Sequence, residues 1–496
     1  MIKKPVFSVF LLAALTISSC ADVSGDPSDI TPDKNTGADS TAAMTAEAYP
    51  YELPDLGGYT LRVFNMETLW NMYIDVDTDA TNGEILNDTV YNRNRKAEQA
   101  LNFKLEEITS IEEDITVHNQ QIKESILSAD DLYDVVYASI KYTPAMLTDG
   151  YFMNLLDIDG LNLQEDWWDS VVADNATING CLYTATSPMH LMPYDSAWIL
   201  FFNRNMMEQN DMELPYDLVR EGKWTIEALL GYTKAIANLN GDASFVWNKD
   251  GNCIYGMSAH SNAGEHFITA AGESFVSNDA DGNIAFRADS NRFFNVITKL
   301  AGLFDTSAGY SLAANTDDFN ADLGGYMHVF HSGRSLFLTA EIKAAQLLRD
   351  MEASFGLVPI PKYDESQENY RCDFVNACLF YTIPITNTHL TETAAASDYL
   401  SYLSSREVIP LYYENVVEQK GLRDEDSIEM LDIVLSNKTV DLGNLFGWSA
   451  SLFEAIRGKL FAGSDAVASL VERHKKTIQK SIDNTLEAIE ITKSNS

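Results

Sequence analysis

The sequence predicts an α/β protein built in two lobes. Three observations carry this. The stretch from 59 to 139 reads strand, helix, helix, strand, the order that gives a parallel sheet covered by helices. "AWILFFN" (197–203) has an unbroken apolar centre, as a strand buried on both faces should. About 440 residues follow a change of composition near residue 56, more than one hydrophobic core serves and enough for two.

Each element has its own signal. "YTLRVFNM" (59–66) alternates apolar and polar residues directly after Gly57-Gly58 and reads as the first strand. "ILNDTVYNRNRKAEQALNFKLEEI" (85–108) sets Leu86, Val90, Ala97 and Leu101 near helical spacing. A second helical stretch with Ile122, Ile126 and Leu127 leads into the strand "LYDVVYAS" (132–139). In "GKWTIEALLGYTKAIANL" (222–239), Thr225 is a good N-cap, and Trp224 and Leu229 occupy the two positions of a hydrophobic staple. "SNDADGNIAFRAD" (277–289) reads as a turn between two short strands. "HSGRSLFLTAE", "FGLVPIPKY" and "ACLFYTIPIT" read as further strands, with Pro359, Pro361 and Pro384 at their ends or edges. From Thr391 the pattern is mostly helical, and no repeat of 20 to 50 residues stands out.

The N-terminus has the order of a secretion signal: Lys3 and Lys4, an apolar run from Pro5 to Ile17, then Ser18 and Ser19 before Cys20. The apolar run is short of the roughly 18 residues that a permanent spanning helix needs. Ile17-Ser18-Ser19-Cys20 resembles a bacterial lipobox, so residues 1–19 are expected to be removed and Cys20 to carry the lipid. Residues 20–56 are rich in Ala, Asp, Ser, Thr and Gly and poor in large apolar residues, the composition of a mobile tether. That places the folded body outside the cytoplasm, anchored to the outer face of the membrane.

The formal charge is −39, from 34 Lys and Arg against 73 Asp and Glu. Nucleic acid and anionic lipid surfaces are repelled by such a body, which excludes them as partners. Cys181, Cys253, Cys372 and Cys378 lack zinc-finger spacing and read as buried thiols, with any pairing among them left open. There is no Gly-x-Gly-x-x-Gly, P-loop, His-Glu-x-x-His or Gly-x-Ser-x-Gly. His328 and His331 have no third ligand near them in sequence, and the loop at Asp279, Asp281 and Gly282 has Ala288 where a calcium loop needs Glu. No metal, cofactor or catalytic residue is therefore expected, and the chain reads as a binder rather than an enzyme.

Three stretches resemble the family 1 extracellular solute-binding proteins. "AWILFFNRNMMEQNDMELPYDLVREGKWTIEALL" is similar to that family's first strand between lobes, with its following turn, Pro and Trp-Thr helix start. "SGRSLFLTAEIKAAQLLRDMEASFGLVPIPKYDESQENY" is similar to the return crossing, and "YDVVYAS" to a strand of the first lobe. The resemblance implies a two-lobed, periplasmic-binding-protein-like type II fold with discontinuous lobes and a hinge. It places 57–196 and 334–384 in lobe 1, and 197–333 and 385–496 in lobe 2. The crossings then fall near Asp195–Phe201, Gly333–Leu338 and Pro384. It further implies the monomeric capture subunit of an ABC importer, with permease subunits as partners and a carbohydrate as ligand. A lipid-anchored glycoside hydrolase and a glycan-binding lipoprotein of another uptake system are the rival readings, as is the same fold with a peptide, polyamine or metal ligand.

In open α/β sheets ligands sit outside the carboxyl ends of strands. A sugar asks for rings against its C–H faces and for polar groups against its hydroxyls. Reading just past the strand ends, together with the crossings, gives Asn65, Trp70, Ser139, Tyr194, Asp195, Glu273 and Glu341, with Trp448 as a stacking lid. Trp70 and Trp448 have an alternative as core residues, and the carboxylates as caps. Trp167 and Trp168 are read as packing.

Overall fold

The computed structural model describes residues 48–66, 76–110, 114–279, 282–313, 325–374, 378–417, 422 and 425–495. Cys20, the signal and most of the expected tether, and Trp70, lie outside the described residues. No helix among the described residues is long and apolar enough to cross a membrane.

The chain enters the first sheet through Gly57 and Gly58, whose φ angles of 65° and 81° suit glycine and turn the backbone into β1, Tyr59–Asn65. A helix follows at Ile85–Leu101, opened by the Glu84 side chain, which accepts from the Asn87 N–H, and closed by Asn102 at φ 51°. There the expectation of one helical run to residue 108 fails. The chain reverses into β2, Phe103–Thr109, which pairs with β1 in parallel from Tyr59 opposite Phe103. Within this edge strand Phe103 and Leu105 are buried while Lys104 and Glu106 face water, so its polar face reads as the outer face of a longer helix. After the helix Ile115–Ser128, capped by Asp114, β3 (Val135–Ala138) pairs with the other side of β1.

The second sheet starts at β4, Trp198–Asn203, all six residues of which are buried. The helix Ile226–Ile236 opens on the expected cap, the Ala228 N–H donating to Thr225 Oγ1 at 3.2 Å. Then come β5 (Tyr255–Ala259), the antiparallel hairpin of β6 (Val276–Asn278) and β7 (Ile284–Phe286), and β8 (Ser311–Ala313). With β9 (Ser335–Glu341) and β10 (Phe355–Val358) the sheet has the order β10-β4-β9-β5-β8. The strands β5, β8 and β9 run parallel, and β4 is antiparallel to both β9 and β10.

This order corrects the expected division into lobes. Residues 335–358 were expected in the first lobe, with a crossing at Gly333–Leu338; β9 instead lies between β4 and β5 in the second sheet. Six of its seven residues are buried, and such a strand needs a neighbour on each side. The return passage comes later, between β11 (Cys372–Asp373), whose Cys372 Sγ donates to the Trp198 carbonyl, and β12 (Phe380–Thr382), antiparallel to β3. The first sheet then reads β12-β3-β1-β2.

No crossing occurs at Pro384 either. Pro384 bridges to Phe152, and the helix Leu390–Leu403 packs on β1 and on the helix Ile85–Leu101. The chain regains the second sheet beyond a π-helical turn, Ser404–Val408, just before Pro410. Proline removes an N–H and crowds the preceding turn, which widens the helix there. The helix Glu425–Leu435 then packs on β10, and β13 (Lys438–Thr439) pairs with β11.

Residues 48–56 are docked rather than free. Tyr49 stands among the rings of Trp167, Tyr399 and Tyr402, at centroid distances of 5.0–5.6 Å, and donates to Asp398 Oδ2 at 2.8 Å. The expected tether therefore ends before Tyr49, because three rings and a carboxylate offset the entropy of ordering this segment.

Candidate functional site

The carboxyl ends of strands in the two sheets lead into segments that touch one another. On the first sheet these are Asn65 at the end of β1 and Ser139 after β3; on the second they are His260 after β5 and Glu341 at the end of β9. The seam between them is crossed by side chains. Lys141, two residues past Ser139, pairs with Glu265 of the helix Ala263–Ala270 at 3.5 Å. Lys438 of β13 pairs with Asp169, which opens the helix Ser170–Ala176. Asn278 Nδ2 donates to the Asn175 carbonyl at 3.1 Å. At Gly447 the contact is backbone to backbone: a Cβ there would stand 2.3 Å from the Lys141 carbonyl oxygen.

On the second sheet's side stands Trp198, the first residue of β4, opposite Glu341 in register. Its indole stacks on His266, with centroids 3.9 Å apart and 15° between planes. His266 Nδ1 lies 3.0 Å from Asp373 Oδ2, and both side chains are fully buried. His260 and Tyr326 extend the group of rings along the same edge. Several buried polar atoms have no hydrogen-bond partner among the described residues: Trp198 Nε1, His266 Nε2, Asp195 Oδ2, both amide atoms of Asn444 and Ser449 Oγ. Buried polar groups are usually paired, and these atoms are available to a partner outside the described residues, as are others elsewhere in the chain, among them Tyr137 and Tyr381. Chemically the group offers an indole face, an indole donor, an imidazole, a carboxylate, an amide and a hydroxyl.

The electrostatics follow from burial. Asp195 is fully buried and burial pushes its carboxyl up to about 7, against the pull of Lys343 and of the Ser196 hydroxyl, which donates to Asp195 Oδ1 at 3.1 Å. Burial likewise raises Asp441 to about 7 and lifts Glu265, the latter held back by Lys141. Lys438, beneath the rings of Tyr194 and Phe374, is drawn down to about 8 by burial.

A carboxyl raised in the folded state binds its proton more tightly there than in the unfolded chain. Its stabilising share is complete below about pH 4 and is lost as pH rises through about 7. Buried His118 and His190, lowered to about 4 and 3, act in the opposite sense over the same range, so wild-type stability alone does not isolate the effect. The expected result is that Asp195→Asn gains on the wild type between pH 5 and pH 8, read from paired urea unfolding curves at the two pH values. A constant difference would remove Asp195 as the titrating group.

The structure brings together some of the residues expected from the sequence. Tyr194 and Asp195 sit at the first passage between sheets, and the Lys343 N–H donates to the Asp195 carbonyl beside the end of β9, where Glu341 is half-buried. Ser139 is buried at the end of β3. Asn65 is buried at the end of β1, donating to Glu107 at 2.6 Å and lying 3.1 Å from His190 Nε2. Trp448 is buried on the segment that touches Lys141, its ring against Phe446. Glu273 lies apart from these, beside Arg292 and accepting from Ser290 Oγ. Sequence reasoning missed Trp198, His266, Asp373, Glu265 and Lys141. Trp198 was read as strand interior, and the others carry no spacing signal because they come from three separate segments.

A concavity of about 480 Å³ opens at the carboxyl end of β2, lined by residues including Asp77, Asp79, Asn87, Glu107 and Thr109. Three of these are carboxylates and no described ring lines it, so it offers no face to a sugar. The seam is the candidate site.

No family model matches the chain, and no curated protein does. Solved structures do. An ABC transporter solute-binding protein from Thermotoga lettingae bound with α-D-tagatose is 12% identical, with a TM-score of 0.52 over 86% of this chain and 100% of that one. A cyclo/maltodextrin-binding protein complexed with maltotetraose is 14% identical, at 0.54 over 90% and 98%. UgpB from Mycobacterium tuberculosis, in complex with glycerophosphocholine, is also 14% identical, at 0.54 over 80% and 96%. With the two sheets, this likeness shows the architecture: the chain has the two-lobed α/β fold of these solute-binding proteins.

Proposed function

We propose that this chain is an extracytoplasmic solute-binding protein that captures a carbohydrate between its two lobes and presents it to the permease of an ABC importer. The observation that carries the reading is the Trp198–His266 stack at the end of the second sheet, beside the Lys141–Glu265 contact that joins it to the segment after β3. A ring covers the C–H face of a sugar at small entropic cost, and polar atoms already stripped of water select the hydroxyl pattern. The neighbouring folds hold tagatose, maltotetraose and glycerophosphocholine, all hydroxylated solutes, which supports the class. Asn65, Ser139, Tyr194, Asp195, Glu341 and Trp448, with Trp198 and His266 added, are the proposed contacts. Glu273 and Trp70, expected with them from the sequence, are the first to test by exclusion. Ligand that touches both lobes stabilises their closed arrangement, which is the form a permease reads. The chain does no chemistry on its ligand, and Cys20 carries the lipid that holds it at the membrane.

Thermal-shift screening of the full chain against a panel of mono- and oligosaccharides tests this. A ligand at 100 times its Kd stabilises by about 2.7 kcal/mol, which a melting curve resolves. The expected outcome is a rise in Tm with the sugar recovered intact. A sugar that is consumed speaks for a hydrolase, and a panel without any rise overturns the carbohydrate reading. For the anchor, detergent partitioning of the wild type and of Cys20→Ser should differ, with only the variant staying in the aqueous phase.

A further inference from the structure

The Trp198–His266 stack has a polarity that its geometry fixes. Trp198 opens β4, His266 lies on the helix Ala263–Ala270, and both side chains are buried. His266 Nδ1 stands 3.0 Å from Asp373 Oδ2. A carboxylate oxygen only accepts, so in the neutral imidazole the proton sits on Nδ1 and Nε2 keeps its lone pair. Trp198 Nε1 can only donate. Each ring nitrogen bonds in the plane of its own ring, and the planes are stacked within 15° of parallel, so the two nitrogens do not serve each other. Neither has a hydrogen-bond partner among the described residues.

We infer that His266, held in one tautomer by Asp373, is a specificity-determining residue: its Nε2 accepts from a hydroxyl of the solute beside the Trp198 indole, and the site thereby selects neutral hydroxylated solutes over phosphorylated ones. This rests on the reading of the chain as a carbohydrate-capture protein and narrows the ligand class within it.

A hydroxyl both donates and accepts, so a polyol can satisfy an acceptor nitrogen and a donor nitrogen side by side. An ionised phosphoryl oxygen only accepts, and against Nε2 it sets lone pair to lone pair and leaves a buried nitrogen unpaired. The surroundings act in the same sense. Glu265, the residue before His266 on its helix, is buried, and so are Asp373 and Asp441, with Asp441 in electrostatic range of the other two. Lys141 already faces Glu265 at 3.5 Å. An anion brought here loses its water against like charge, whereas a hydroxyl does not. The architecture itself does not impose this choice, since UgpB, with a similar fold, is in complex with glycerophosphocholine.

The first measurement needs no ligand. Long-range proton–nitrogen correlation spectra of the full chain with Cys20→Ser and isotope-labelled histidine read which ring nitrogens are protonated at neutral pH. The His266 signals are assigned by their loss in His266→Phe, or in His266→Gln if the first variant does not fold. A protonated Nδ1 with a bare Nε2 is expected; the other tautomer, or a ring protonated at both nitrogens, overturns the inference. The second measurement is thermal-shift titration with glucose, galactose, maltose and glycerol, each beside its phosphate ester. The neutral member should bind roughly ten- to hundredfold more tightly than its ester, and His266→Phe or His266→Gln should narrow that ratio. An ester bound as tightly as its parent, or no rise with any parent, overturns the inference. If the wider oligosaccharide panel still raises Tm, the carbohydrate reading stands without it; if that panel too is silent, both fall.

Discussion

Asp398→Ala is expected to lower the unfolding free energy by about 4 kcal/mol. Asp398 is fully buried on the helix Leu390–Leu403 and accepts from both tryptophans of the Trp167–Trp168 pair, at 3.2 and 2.7 Å. It also accepts from the Asn162 N–H at 2.9 Å, from Asn162 Nδ2 at 2.8 Å and from the Tyr49 hydroxyl at 2.8 Å. Truncation strands those donors in a site that water does not reach freely. Each costs about 1–3 kcal/mol, and the sum falls short of additivity because the freed groups relax together. Chemical denaturation measures the loss, and limited proteolysis near Tyr49 should quicken, since Tyr49 loses its carboxylate partner. A loss under about 1 kcal/mol would show that Asp398 is not the organising acceptor of this cluster.

Trp198→Ala is expected to cost about 3–5 kcal/mol of stability and to abolish ligand capture. The side chain is 2% exposed at the start of β4, and its removal leaves a cavity beneath His266. Because that variant confounds folding with binding, Trp198→Phe is the informative partner. It keeps a ring on His266 and removes Nε1, which has no partner among the described residues. Phe should fold within about 1.5 kcal/mol of the wild type and, if the proposed capture function holds, bind a sugar found in the thermal-shift panel distinctly more weakly. Equal affinity in titration calorimetry would place Trp198 in the core alone.

Much of the architecture was legible before any coordinates. Apolar runs such as 197–203 and 335–341 announce strands with neighbours on both sides, and Thr225 announces a helix start, because these are properties of a few adjacent residues. The strand β2 was not legible: its alternation is confined to Phe103 and Leu105 and merges with the helical pattern before it. Lobe membership was not legible either. A buried strand declares that it has partners without declaring which, and β9 satisfies its pattern equally well in either sheet.

The site divides along the same line. Sequence by itself determined the α/β class and the main strands and helices, since these follow from local pattern, while the passage near Asp195 was what the family resemblance implied. Only the tertiary structure decided that Trp198 stacks on His266, that His266 meets Asp373, and that Lys141 finds Glu265. Those partners are 68, 107 and 124 residues apart in the chain (266 − 198, 373 − 266 and 265 − 141), and nothing near any one of them encodes the other. Contacts of that kind arise when two sheets have settled their strand order and their edges are pressed together, which is a property of the packed molecule.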